Sequence, residues 1–83
     1  MLNSSSMTHS NAGEARSVRV TEMPIELCQF IKFGGLSPSG GEAKVAISEG
    51  RVLLNGAVET RKRKKLAAGD RVTFAGETIV VEV

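Results

Sequence analysis

The sequence predicts an α+β fold, with two packed short helices against a small, mostly antiparallel sheet in a single domain. Between residues 24 and 49, two segments place apolar residues at helical spacing, and each is followed by glycine, which favours a helix end. Segments before and after them alternate apolar and polar residues, as strands with one buried face do. The Asn55-Gly56 dipeptide is a strong β-hairpin signal, because both positions accept a positive φ.

Length and composition fit one small domain with a modest core, since the chain has 83 residues and is 41 % hydrophobic. The Ser/Asn/Thr-rich N-terminus predicts a disordered tail over residues 1–16, followed by the domain over 17–83. A lone cysteine excludes an internal disulfide, and the sequence shows no membrane-spanning stretch or secretory signal. We therefore expect a cytoplasmic monomer with no membrane partner.

The first elements are a strand over residues 17–21 and a helix that follows it. Pro24 suits the first turn of this helix, where the N–H that proline lacks would have no partner. Gly34-Gly35 then ends the helix. Cys28 lies one turn from apolar residues on either side, and this spacing indicates a small core or boundary residue.

The second helix has a sharper start signal. Ser39 and Glu42 are spaced as a capping box, in which the serine hydroxyl accepts from the Glu42 amide and the carboxylate accepts from the Ser39 amide. The helix is predicted to run to Glu49 and to stop at Gly50.

The remaining chain predicts strands over 51–54, 57–59, 71–74 and 78–83, joined by tight turns. Asp70 follows Gly69 in one of these turns, and we interpret it as a turn residue and not as a general acid. Residues 61–65, Arg-Lys-Arg-Lys-Lys, are too charged for the core and form what we call the basic run.

Positive charge is concentrated in the middle of the chain. Residues 44–71 hold eight Lys/Arg and three acidic residues, whereas the rest of the chain holds three Lys/Arg and six acidic residues. Such polarity is typical of a domain that binds a polyphosphate. Trp and Tyr are absent and the three Phe lie in apolar segments, so we expect no exposed aromatic platform for bases. The protein would then recognise a nucleic acid by its charge and shape and not by base stacking. This favours structured RNA over single strands.

One pattern spans most of the predicted fold and resembles the alpha-L RNA-binding motif family, the domain type of small-subunit ribosomal protein S-four. The pattern is carried by Gly35, Ser39, Ala43, Lys44, Ile47, Gly50, Val52, Leu54, Asn55 and Gly56, followed by Leu66, Gly69, Asp70 and Val72. The resemblance implies an RNA-binding module in which the helix pair and an adjoining strand loop approach the RNA. Glu26 and Gly40 depart from it, since many members have arginine at these two positions.

The candidate RNA-binding residues are the basic run, the cations near the two helices and the glycine-rich entrance of the second helix. They are Lys32, Ser39, Gly40, Gly41, Lys44, Arg51, Arg61, Lys62, Arg63, Lys64 and Lys65. Simpler interpretations stay open for each group: the basic run as a flexible, solubilising loop, the entrance as a plain helix cap, and Lys32 and Lys44 as ordinary surface lysines. Five adjacent cations repel one another, and a phosphate partner would offset that cost.

The chain offers little for catalysis, so we expect a non-catalytic protein without a cofactor. One Cys and one His do not make a zinc site, and there is no Walker-type phosphate loop. The hypothesis is capture of the backbone of structured RNA, of the ribosomal or transfer type, in ribosome or RNA maturation, with ribosome association. The alternative is a protein-interaction adaptor whose basic patch binds an acidic or ribosomal protein surface.

Overall fold

A computed structural model describes residues 15–83. The elements are β1 (Ala15–Arg19), β2 (Ile25–Glu26), α1 (Leu27–Phe33), α2 (Gly40–Ser48), β3 (Leu53–Leu54), β4 (Ala57–Val58), β5 (Lys65–Leu66), β6 (Arg71–Phe74) and β7 (Glu77–Glu82). The predicted tail lies outside the described residues up to residue 14, and Ala15 and Arg16 belong to β1. The division of the chain at residue 17 stays a prediction.

The strands form a five-stranded sheet in the order β1-β7-β6-β3-β4 and a separate two-stranded pair, β2-β5. Only β1 and β7 run parallel among the described pairs, so the sheet is mostly antiparallel, as predicted. Both helices bury one face in the core that this sheet supplies. The largest fully buried side chains at its centre are Leu27, Phe30, Ile31, Ile47, Val52, Val72, Ile79 and Val81. The predicted α+β fold class is confirmed.

Two tight hairpins carry the antiparallel part of the sheet. Asn55 and Gly56 have φ of 53° and 87°, and Ala75 and Gly76 have φ of 55° and 82°. Positive φ at both central residues matches the right-handed twist of the flanking strands. The Asn-Gly hairpin is confirmed, and the second turn shows the same geometry with alanine in the first position.

The predicted start of the first helix is wrong. Pro24 lies before the helix, because Ile25 and Glu26 pair as a strand with Leu66 and Lys65. Glu26 has extended φ and ψ of −84° and 154°, so the helix begins at Leu27. Gln29 Oε1 accepts a 2.9 Å hydrogen bond from the Glu26 amide, which satisfies a donor at the helix start.

The boundaries of the second helix agree with the prediction to within one residue, whereas its capping box is only half formed. Ser39 Oγ accepts from the Glu42 amide at 3.2 Å. Within residues 15–83, the Ser39 amide donates no return bond to the Glu42 carboxylate, and Glu42 instead lines a groove that also contains Arg51. The helix ends at Ser48, and Gly50 follows with a φ of 77°.

Candidate nucleic-acid interface

The basic run is attached to the start of α1 by backbone hydrogen bonds. The Leu27 amide donates to the Lys64 carbonyl at 2.9 Å, and the Cys28 amide donates to the Lys62 carbonyl at 3.1 Å. The first amides of a helix have no partner inside it, so here the loop supplies the acceptors. The backbone of the basic run therefore caps α1, and the same two hydrogen bonds fix the position of the run.

Two further features order the basic run. The Lys64 amide donates to the Arg61 carbonyl at 3.1 Å, which closes a turn across residues 61–64. Leu66 is only 3 % exposed and anchors the far end of the run in the core. These contacts argue against a flexible, solubilising loop, because the backbone that carries the cations is fixed at both ends and in the middle.

Arg61 is bound to Glu59 by three hydrogen bonds. Arg61 Nε and the Arg61 amide each lie 2.9 Å from Glu59 Oε2, and Nη2 lies 3.2 Å from Oε1. Hydrogen bonds from the Arg61 side chain, and then from its amide, stabilise the charged carboxylate and lower the pKa of Glu59 to about 2. The side-chain hydrogen bonds to Glu59, and then the negative charge of its carboxylate, raise the pKa of Arg61.

The other four cations of the run differ from Arg61. Arg63 Nε lies 4.0 Å from Glu26 Oε1, a single loose contact between an exposed guanidinium and a half-buried carboxylate. Among the described residues, no carboxylate lies within 4.0 Å of the ammonium groups of Lys62, Lys64 and Lys65. Their positive charge is therefore available to a partner.

Arg51 lies in a groove of about 310 Å³ beside the entrance of α2. Its guanidinium carbon lies 5.8 Å from the centre of the Phe74 ring, and its Nη2 lies 2.9 Å from Glu49 Oε1. Gly41 and Val45 of α2 line the same groove. Of the predicted site residues, Arg51 and Gly41 are thus brought to one groove, whereas Ser39 and Gly40 do not line it.

Lys32 and Lys44 lie on the outer faces of their helices. Lys32 lines a second groove, of about 420 Å³, together with Pro24, Gln29 and Phe33. Lys44 is exposed on α2 and lines neither groove. The described contacts do not join these two lysines to the basic run, so their part in a common interface stays a prediction.

The expectation that no aromatic residue is exposed is wrong. Phe33 is 61 % exposed at the end of α1, and Phe74 is only half-buried under Arg51. The sequence contained a signal for Phe33, because it lies off the helical stripe of Leu27, Phe30 and Ile31. Asp70, in contrast, has the predicted turn role, since its Oδ2 accepts from the Ala67 amide at 2.8 Å.

The described residues form neither a metal site nor a membrane-spanning helix. Over residues 15–83, no group of three or more His, Cys, Asp or Glu side chains could hold a metal ion. No helix in the described part of the chain has the length and apolar character needed to cross a membrane.

Comparison with known proteins relates this fold to a family of small domains. The family model described as S4 domain matches residues 18–82. The solution structure of YbcJ from Escherichia coli, described as revealing an alpha-L motif involved in RNA binding, superposes with a TM-score of 0.65 at 43 % identity. The match covers 98 % of this chain and 100 % of that one.

Two curated relatives are bacterial proteins of similar length. "Putative RNA-binding protein YbcJ" of Escherichia coli (strain K12) is 54 % identical over 57 residues, which is 69 % of this chain and 81 % of YbcJ. "Probable ribosome maturation protein RlbA" of Bacillus subtilis (strain 168) is 45 % identical over 56 residues, which is 68 % of this chain and 78 % of RlbA.

Proposed function

The chain belongs to the S4 domain family, and on that premise we propose that it is a non-catalytic RNA-binding protein that captures the backbone of structured RNA. The observation that carries the proposal is the basic run, whose three lysines have no ion-pair partner among residues 15–83 and stand on a backbone held by α1. A fixed array of cations can match the spacing of phosphates with little loss of conformational entropy on binding.

The similarity to proteins named for RNA binding and ribosome maturation supports ribosomal RNA as the partner, with transfer RNA as the next choice. The proposal includes ribosome association in the cytoplasm, a monomeric protein and no chemical step. Arg51 and the α2 entrance would orient the RNA, because an arginine and free helix N–H groups both suit phosphate oxygens.

The test is equilibrium binding of the full chain to a structured ribosomal RNA fragment across a salt series, with an unstructured RNA of equal length beside it. A variant with Lys62, Lys64 and Lys65 replaced by Gln should lose about two to three units of the slope of log K against log salt. The control replaces Arg19 and Arg71, two exposed cations of the sheet, by Gln, and should keep the wild-type slope.

Absence of RNA binding by the wild type at low salt would overturn the proposal. Binding to an acidic protein surface that survives ribonuclease would then favour the adaptor. An equal loss of slope in both variants would show only a general effect of net charge.

A further inference from the structure

The Glu59–Arg61 pair lies in a chain of hydrogen bonds that runs through the basic run. The Glu59 amide donates to the carbonyl of Val52, which is fully buried, at 3.0 Å. The Glu59 carboxylate holds the Arg61 amide and guanidinium, and the Arg61 carbonyl accepts from the Lys64 amide. The Lys64 carbonyl in turn accepts from Leu27. The pair thereby links the core to the start of α1.

The two side chains of the pair are unequally exposed. The Arg61 side chain is 70 % exposed and that of Glu59 is 13 % exposed, so the guanidinium covers the carboxylate. If Arg61 turned to a phosphate, it would break two side-chain hydrogen bonds and leave a carboxylate facing the RNA. Lys62, Lys64 and Lys65 have no such ion pair to break within the described residues; Lys62 and Lys65 are exposed, and Lys64 is half-buried.

We infer that Lys62, Lys64 and Lys65 make the phosphate contacts of the basic run, whereas Arg61 is a positioning residue that holds the turn through Glu59. This inference rests on the proposed function. It divides four of the five cations, which look alike in the sequence, into three RNA contacts and one positioning residue, and it leaves Arg63, which lies near Glu26, unassigned. The Glu59–Arg61 pair holds the backbone of the basic run in one conformation, so that RNA binding does not have to order the segment that carries the lysines.

The test compares substitutions in the same salt series, because the salt slope counts phosphate contacts and the affinity at one salt concentration does not. Each single change, Lys62→Gln, Lys64→Gln or Lys65→Gln, should lower the slope by about 0.7 to 0.9. The double change Glu59→Gln with Arg61→Gln removes the pair without altering the net charge. It should keep the slope, while the affinity at fixed salt falls by about two- to tenfold, as the loss of ordering hydrogen bonds predicts.

A slope that falls by about one unit in the double variant would overturn the inference, because Arg61 would then contact a phosphate. Unchanged slopes in the three lysine variants would overturn it as well. Wild-type protein that bound no RNA would refute the proposed function. The positioning role of Arg61 can still be tested in that case, by an experiment without RNA.

That experiment is amide hydrogen exchange of Leu27 and Cys28, whose amides donate to the carbonyls of Lys64 and Lys62. Exchange should become faster in the Glu59→Gln/Arg61→Gln variant and stay unchanged in Lys65→Gln, which keeps the backbone chain of bonds. Equal protection in wild type and double variant would show that the pair does not hold the turn, and would overturn the positioning role.

Discussion

Gly34 at the end of α1 is required by packing and not by its backbone angle. Its φ is −81°, which any residue adopts. A Cβ added there would lie 2.6 Å from Ile79 Cδ1, 3.2 Å from the Phe30 carbonyl oxygen and 3.5 Å from Val18 Cγ2. We therefore predict that Gly34→Ala destabilises the domain through overcrowding alone.

The magnitude follows from how little the neighbours can move. Ile79 is fully buried, so its methyl group cannot swing into solvent, and the Phe30 carbonyl already accepts from the Gly34 amide at 2.8 Å. Overpacking of this kind costs about 1–3 kcal/mol of the free energy of unfolding. In a domain of this size, that is a large share of a total stability of about 5 kcal/mol.

Urea unfolding followed by circular dichroism measures the cost, and Gly40→Ala is the matched control. A Cβ at Gly40 would meet nothing within 4 Å, and the residue opens α2, so alanine there should be neutral or stabilise by up to about 1 kcal/mol. A Gly34→Ala variant within about 0.5 kcal/mol of the wild type would refute the reasoning.

A second substitution locates the clash. Ile79→Val removes the Cδ1 methyl and alone should cost about 0.5–1.5 kcal/mol. Combined with Gly34→Ala, it should cost less than the sum of the two single changes, because the added methyl group fills the space that the removed one leaves. Additive costs would mean that the Phe30 carbonyl, and not Ile79, resists the new atom.

Three more predictions concern the loops. Asn55→Ala should cost about 1–3 kcal/mol in urea unfolding, because alanine is strained at a φ of 53° and the bond from Asn55 Nδ2 to Asp70 Oδ1 is lost, whereas Asn55→Gly should cost less. Leu66→Ala should cost about 2–5 kcal/mol, and faster exchange at the start of α1 should accompany it, since Leu66 anchors the basic run in the core. Because the pKa of Glu59 falls from 4.5 to about 2 in the folded state, the stability that it contributes is complete above pH 4.5 and is lost as the pH falls towards 2. The urea midpoint of the Glu59→Gln/Arg61→Gln variant should accordingly fall less than that of the wild type over this range, and parallel curves would contradict the ion pair.

Features with a local cause could be predicted from the sequence. Asn55-Gly56 forms a hairpin because its two residues accept the angles the turn needs, and Ser39 caps α2 through a bond to a residue three positions on. Gly50 marks the end of the same helix for an equally local reason, its positive φ. In each case, the determinant and its effect lie within a few residues, so the pattern in the chain contains the whole interaction.

Features that depend on distant residues could not be predicted in this way. Strand β2 consists of two residues that pair with two others about forty positions later, which is too short a run for any periodicity to show. Because of that strand pair, α1 begins at Leu27 and not, as the sequence predicted, at Pro24. The Glu59–Arg61 pair was missed because the predicted strand ends at Glu59 and the sequence gives no geometry for the loop that follows, so it does not show which cation of the basic run lies against Glu59.

The attachment of the basic run to α1 bears on the departure at Glu26. Many members of the family that the sequence resembles have arginine at this position, and here it is an acid. Arg63 lies 4.0 Å from Glu26, and the carbonyls of Lys62 and Lys64 accept from the next two amides of the helix. Positive charge is thus present at the start of α1 although the helix does not supply it. Because the same loop residues cap the helix with their backbone and carry the charge on their side chains, deleting the loop would destabilise α1 as well as remove cations. Substitution of lysine by glutamine changes the charge and leaves the capping carbonyls in place, so it can separate RNA binding from folding.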